Sequence, residues 1–164
     1  MGTGRSPAAR LSPRRGRGFT LVEMMTVVAI IAILVTVAAP SFAEMVATQR
    51  VRSAASALTE SLWLARAEAT KRNTDVGFAF TDPRAGWTIP DPAGSATPLL
   101  VQAGFEAIEF TSQSGDAVRL TFNAYGRLAT GGGWVQVGDP HAGVYRCVTV
   151  SSAGRASTTK GACQ

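Results

Sequence analysis

Histidine and cysteine are scarce in this chain of 164 residues, which has one histidine and two cysteines. His141 stands in a loop rich in Gly and Pro, and with Cys147 and Cys163 it offers too few ligands, at the wrong spacing, for a zinc site. The chain also lacks the Gly-x-Ser-x-Gly turn of serine hydrolases and the glycine-lysine loop that binds nucleotide phosphates. We therefore predict that the protein is not an enzyme and has no catalytic residue, metal or cofactor.

Most of the sequence has no net charge. The formal net charge is +5, but the residues from 19 onward include eleven basic and eleven acidic side chains. The excess comes from five arginines with no acidic residue among them: Arg5, Arg10, Arg14, Arg15 and Arg17. Because phosphate contacts need concentrated positive charge, the neutral body of the chain argues against a nucleic-acid partner.

Long apolar runs are also absent, with one exception at residues 19–39. This run of 21 residues contains a single charged side chain, Glu23. An apolar helix of about 20 residues spans the hydrocarbon core of a bilayer, and basic residues before it stay on the cytoplasmic side. The sequence thus predicts a single-pass membrane protein whose C-terminal part lies outside the cytoplasm.

Two ordinary interpretations of this N-terminus stay open. A secretory signal peptide, cleaved after the small-x-small site Ser41-Phe42-Ala43, usually has an apolar core of only about 7–15 residues. A plain signal anchor explains the length and the orientation but not Glu23. A carboxylate inside a membrane span costs at least about 2.5 kcal/mol and usually marks a pairing site. Glu23 therefore favours a third interpretation, in which its carboxylate has a partner.

The residues around Glu23 carry a family resemblance. The run GFTLVE at residues 18–23, behind a basic leader, resembles the processing motif of type IV prepilins and pseudopilins, and Pro40 stands where this family often has a helix-bending proline. The resemblance implies that a prepilin peptidase cuts between Gly18 and Phe19 and methylates the new N-terminus. Glu23 can then pair with the amine of Phe19 in the same or a neighbouring subunit, so that assembly relieves the cost of the buried carboxylate.

Beyond Pro40 the helical pattern continues. Small and aliphatic side chains recur at spacings of three and four over residues 51–69, which is typical of an amphipathic helix. We expect one helix from about residue 19 to about residue 72, kinked near Pro40 and stopped by Asn73.

After Asn73 the pattern changes to short apolar segments separated by Gly, Pro, Asp and Ser. Seven segments are predicted strands: 75–81, 86–89, 99–101, 107–111, 117–122, 134–137 and 145–150. Residues 81–97 and 129–133 are the most loop-like regions. The predicted class is α+β, with a long N-terminal helix, transmembrane in its first half, packed on a small antiparallel β domain.

These patterns, together with the prepilin resemblance, imply four regions. We expect a cleaved basic leader at 1–18 and a transmembrane helix with the assembly segment at 19–43. The periplasmic half of the long helix then occupies 44–72, and a β-rich periplasmic domain occupies 73–164.

Three further segments narrow the resemblance. LARAEA at 64–69, TFNAYGR at 121–127 and VTVSSAGR at 148–155 are similar to the GspH/FimT group of minor pseudopilins. The resemblance implies a pilin-like fold and a subunit of a type II secretion pseudopilus or, alternatively, of a type IV pilus, held in the bacterial inner membrane with its C-terminal domain in the periplasm. The implied partners are other pilin or pseudopilin subunits, the prepilin peptidase and the inner-membrane assembly platform.

Some FimT-like proteins bind DNA through a Gly-Arg-x-Arg stretch near the C-terminus. The corresponding residues here read GRAS at 154–157, so the second arginine is missing. Arg146, Arg155 and Lys160 are the remaining candidates for a DNA contact.

The two cysteines, Cys147 and Cys163, form the only available pair. In an oxidising periplasm we expect them to form a disulfide, with two free thiols as the alternative. Closing a loop of this length contributes about 3 kcal/mol in the loop-entropy description.

The three tryptophans are the remaining large aromatic anchors. A small domain usually places tryptophan in its core, and we expect Trp63 there. For Trp87 and Trp134, a core position and an interface position both stay open.

Overall fold

The computed structural model describes residues 18–80, 85–113, 115 and 118–164. Except for Gly18, the predicted leader lies outside these residues, as do parts of the strands expected at 75–81 and 117–122. The chain divides into two compact units between Pro40 and Ser41.

A single helix, α1 (Leu21–Arg72), runs for 52 residues and includes Pro40. Thr20 caps its start, because the Thr20 hydroxyl accepts a hydrogen bond from the backbone N–H of Glu23 at 3.2 Å. At its end Asn73 adopts a left-handed φ of 52°, and the N–H of Thr74 donates to the carbonyl of Ala69. The predicted long helix and its stop at Asn73 are therefore confirmed.

The described residues after α1 form nine strands in two antiparallel sheets. The five-stranded sheet has the order β3-β2-β1-β5-β6, and the four-stranded sheet has the order β4-β7-β8-β9. The strands are β1 (Val76–Phe80), β2 (Trp87–Ile89), β3 (Leu100–Gln102), β4 (Glu109–Ser112), β5 (Val118–Phe122), β6 (Leu128–Thr130), β7 (Gly133–Asp139), β8 (Val144–Val150) and β9 (Ala156–Lys160).

Each of the seven predicted strands corresponds to an observed one, but two strands were not predicted. β6 begins just before residues expected to form a loop, and it is only three residues long. β9 has the polar sequence ASTTK and lies at the edge of its sheet, so it shows no apolar alternation along the chain. Prediction from apolar patterning misses both strands for these reasons.

The core lies between the C-terminal half of α1 and the two sheets. The buried face of α1 consists of small and aliphatic side chains at helical spacing: Ala47, Val51, Ala54, Ala55, Leu58, Leu62, Ala65 and Ala69. From Val51 onward, this face belongs to one hydrophobic cluster with the inner faces of the sheets, including Phe78, Trp87 and Phe110. The small residues on α1 let the sheets approach closely, and the aromatic rings of the sheets fill the remaining volume.

The tryptophans are distributed differently from our expectation. Trp87 is buried and donates its indole N–H to the Ser61 hydroxyl at 2.9 Å. Trp134 is half-buried in β7. The core position predicted for Trp63 is wrong, because its side chain is 53% exposed. One residue is 100° of helical turn, so the residue after buried Leu62 points away from the core.

Candidate assembly and processing site

The first half of α1 presents apolar side chains on which none of the described residues packs. Every residue from Leu21 to Pro40 is exposed, including twelve large hydrophobic side chains. Among the described residues, α1 is the one helix with an 18-residue window apolar and long enough to cross a bilayer, at a mean hydropathy of 2.6. Such a surface needs lipid or other apolar helices around it.

The predicted processing residues stand at the start of this surface. Gly18 and Phe19 precede the first helical turn, and Phe19 is 73% exposed. A side chain at Gly18 meets no atom of the described residues within 4 Å, so the described part of the fold does not require glycine there. Gly18 itself is exposed.

Glu23 lies in the first turn of α1, about one turn beyond Phe19. Its side chain is exposed, and none of the ion pairs in the described part of the chain involves it. Thr20 and Glu23 also have the spacing of a capping box, in which an acidic residue three positions after the cap favours the helix start. Sequence inspection had not assigned Thr20 this role.

The other end of α1 is fixed to the β domain by charge. Glu68 accepts hydrogen bonds from Lys71 at 3.1 Å and from Arg72 at 2.7 Å, and Arg72 also pairs with Asp91 beyond β2. The hydrogen bonds from Arg72 and then Lys71 lower the pKa of the Glu68 carboxyl. The hydrogen bond to Glu68 in turn raises the pKa of Arg72, so Glu68 and Arg72 both stay ionised at neutral pH.

Two of the segments that carried the family resemblance form matching turns. The N–H of Asn123 donates to the carbonyl of Arg127 at 2.9 Å, and the N–H of Ser151 donates to the carbonyl of Arg155 at 3.1 Å. The two turns join where the N–H of Leu128 donates to the carbonyl of Ser152. The motif residues thus build one structural unit.

The paired turns rest on α1 and require glycine. The Nε of Arg66 donates to the carbonyl of Gly126 at 2.8 Å. Gly154 has a φ of +75°, and a side-chain carbon there would lie 2.1 Å from the Gly126 carbonyl oxygen. Gly154 is therefore needed both for its backbone conformation and for the close approach of the turns.

The three candidate DNA contacts do not come together. Arg146 is directly opposite Lys160 in the pairing of β8 with β9, whereas Arg155 precedes the other end of β9. Five residues of strand separate Arg155 from Lys160, which is about 17 Å. Arg155 instead follows the paired turns, as does Arg127, which sequence analysis did not single out. The Gly-Arg pair occurs at both turns, and this repetition is the sequence signal that could have identified Arg127.

The structure contains the disulfide between Cys147 and Cys163 that the sequence predicted. The N–H of Cys163 also donates to the side-chain oxygen of Gln136 in β7. The bond lies beside Arg146 and Lys160 in the register of β8 and β9, so it holds that end of the sheet and not Arg155. The free-thiol alternative does not describe this structure.

Pilin-like proteins have one long N-terminal helix. Its first half is apolar and exposed, and its second half packs on antiparallel sheets. The solved structures similar to this chain include the type IV minor pilin FimU of Pseudomonas aeruginosa PAO1, at 27% identity and a TM-score of 0.58 over 71% of this chain and 94% of FimU. A second crystal form of FimU gives 28% identity and a TM-score of 0.56 over 69% of this chain and 97% of that one.

Family models identify the chain more closely. The model described as type II transport protein GspH matches residues 54–154, and the prokaryotic N-terminal methylation motif matches residues 13–39. The chain belongs to the GspH family, as the sequence resemblance predicted.

A match to a curated relative supports the same family assignment. The type II secretion system protein H of Escherichia coli K12 is 42% identical over 77 residues, which are 46% of this chain and 44% of the relative. The match therefore spans less than half the length of that protein.

Proposed function

We propose that this protein is a minor pseudopilin, a structural subunit of the periplasmic pseudopilus of a type II secretion system. The observation that carries the proposal is a methylation motif at the head of an entirely exposed apolar helix that continues into a GspH-family domain. The name of the curated relative favours secretion over a pilus. The role is assembly rather than catalysis.

The proposed mechanism follows from the N-terminal residues. Prepilin peptidase removes residues 1–18 on the cytoplasmic side, and the new amine of Phe19 is methylated. Residues 19–43 hold the subunit in the inner membrane, with 44–72 and the β domain 73–164 in the periplasm. Glu23 is costly in lipid until it meets an N-terminal amine, so packing beside other subunits stabilises it.

The β domain suits a periplasmic position. The disulfide between Cys147 and Cys163 persists in an oxidising compartment. The ion pair of Arg72 with Asp91 and the hydrogen bond from Arg66 to the Gly126 carbonyl fix the C-terminal half of α1 to the β domain. Docking on other pseudopilins and on the inner-membrane assembly platform then positions this domain in the filament.

Deletion of the gene is expected to leave exported proteins trapped in the periplasm while pilus-dependent motility and DNA uptake continue. Re-expression of the full chain restores secretion, and the mature protein sediments with sheared filaments. Loss of pilus functions with normal secretion would instead identify a FimT-like minor pilin. A soluble product that begins at Glu44 would identify a secreted β domain behind a signal peptide.

The periplasmic domain is expected to show no appreciable affinity for duplex DNA at physiological salt. Residues 44–164 contain eleven basic and ten acidic side chains, and Arg155 is separated from Arg146 and Lys160. Few phosphate contacts mean weak, strongly salt-dependent binding. A mobility-shift titration of the domain from about residue 46 measures this. Tight binding that is lost in Arg155→Ala but kept in Lys160→Ala would make the protein a DNA-uptake pilin.

A further inference from the structure

Trp63 is the one large hydrophobic side chain exposed on α1 beyond Met45. Its neighbours form a groove of about 230 Å³, lined on the helix by Ser56, Thr59 and Glu60 and on β9 by Ser157 and Thr158. The hydroxyls of Thr59 and Thr158 lie 2.8 Å apart and fix the strand against the helix. An exposed tryptophan thus lies beside the last strand of a sheet.

The free edge of β9 borders this groove. β9 ends the four-stranded sheet, and no strand in the described part of the chain pairs with its outer side. The N–H of Gly161 donates to the carbonyl of Tyr145, so Thr159 and Ser157, two and four residues earlier, also bond to β8. The N–H and carbonyl groups of Thr158 and Lys160 therefore point outward.

A strand added at this edge would extend the sheet along the flank of α1. One of its side chains would then lie over Trp63, and its backbone would bond to Thr158 and Lys160. Glu60, also in the groove, is exposed and has no ion-pair partner among the described residues. The occupant that fits is an extended segment with an apolar side chain and a nearby Lys or Arg.

We propose that this groove receives an extended segment of a neighbouring pilin-like subunit. The inference rests on the proposed function, because the groove lies on α1, the same helix whose N-terminal half packs beside other subunits in the filament. In a filament the neighbours of this domain are other pilin-like subunits, and the free edge of β9 and the exposed Trp63 are available to one of them. The segment pairs with β9, covers Trp63 and places its cation at Glu60.

Trp63→Ala in the full-length chain is expected to lower its recovery in sheared filaments by at least about tenfold, since central tryptophans dominate interface energies. Val101→Ala is the matched control, because Val101 is 69% exposed on edge strand β3 of the other sheet. The control is expected to stay within about twofold of the unsubstituted chain, by the near-neutral behaviour of most surface contacts. Both variants should be processed and membrane-bound.

Glu60→Lys is a second variant that leaves the core untouched. It should lower filament recovery, whereas Glu60→Ala should have a smaller effect, because only the reversed charge repels the cation of the partner. Equal recovery of Glu60→Lys and the unsubstituted chain would exclude an ion pair between Glu60 and the partner segment.

A photo-crosslinking amino acid in place of Trp63 identifies the occupant. An adduct that maps by mass spectrometry to an extended segment of a pilin-like subunit supports the proposal. Adducts to lipid, DNA or an exported protein, or filament recovery unaffected by Trp63→Ala, overturn it. If the unsubstituted chain itself is missing from filaments, the proposed function fails and not only this interface.

Discussion

Replacement of Gly18 by leucine is expected to leave the leader attached, so that the precursor accumulates in the membrane and no chain beginning at Phe19 is found. A side chain at Gly18 meets no atom of residues 18–80, 85–113, 115 and 118–164 within 4 Å, so the substitution does not disturb that part of the fold. Its effect falls on the peptidase, where a misplaced scissile bond lowers the rate on the order of a hundredfold. N-terminal sequencing of the membrane fraction measures the outcome.

Gly77→Ala provides a matched control for this experiment. A side chain at Gly77 also meets nothing within 4 Å, but the residue lies in β1, far along the chain from the cleavage site. The control should mature normally and begin at Phe19. Normal maturation of Gly18→Leu would exclude Gly18 as the processing residue, and a soluble chain beginning at Glu44 in the unsubstituted protein would establish a signal peptide.

Elements with local chemical signals could be predicted from sequence. The helix follows from its apolar spacing, and Asn73 marks its end because asparagine tolerates the left-handed conformation found there. The alternation of Val118, Leu120 and Phe122 likewise shows which face of β5 is buried. These signals depend only on neighbours within a few residues.

Features that depend on strand pairing could not be predicted. β9 is recognisable only because β8 pairs with it, since its own residues are polar. Arg146, Arg155 and Lys160 lie within 15 positions of one another in sequence, yet a hairpin places Arg146 beside Lys160 and Arg155 at the opposite end. Closeness along the chain therefore does not predict a charge cluster.

The role of Trp63 shows the same limit in the helix. A small domain usually places tryptophan in its core, which suggests a core position for Trp63. Its neighbours Leu62 and Leu64 are more buried than Trp63 itself. The side chain is exposed because the sheets cover only one face of α1, and the position of that face follows from packing. The difference between the predicted and observed positions of Trp63 is informative. An apolar side chain that its own domain leaves uncovered is a candidate contact for another protein.

Glu23 can act in two ways that different substitutions separate. As the third residue after the Thr20 cap it favours the helix start, a role that glutamine also fills in a capping box. As the partner of an N-terminal amine it needs its negative charge, which glutamine lacks. Glu23→Gln therefore keeps the first role and loses the second.

Glu23→Ala and Glu23→Gln are both expected to insert normally or slightly better, because each removes a charge that costs at least about 2.5 kcal/mol in lipid. Both should lower recovery in sheared filaments and reduce secretion, since the amine of Phe19 loses its partner. The loss can be partial, because a subunit present in few copies meets fewer such contacts. Filament shearing, immunoblotting and a secretion assay measure these effects. Normal recovery of Glu23→Gln with reduced recovery of Glu23→Ala would assign Glu23 to helix capping, whereas normal recovery and secretion of both would remove it from assembly.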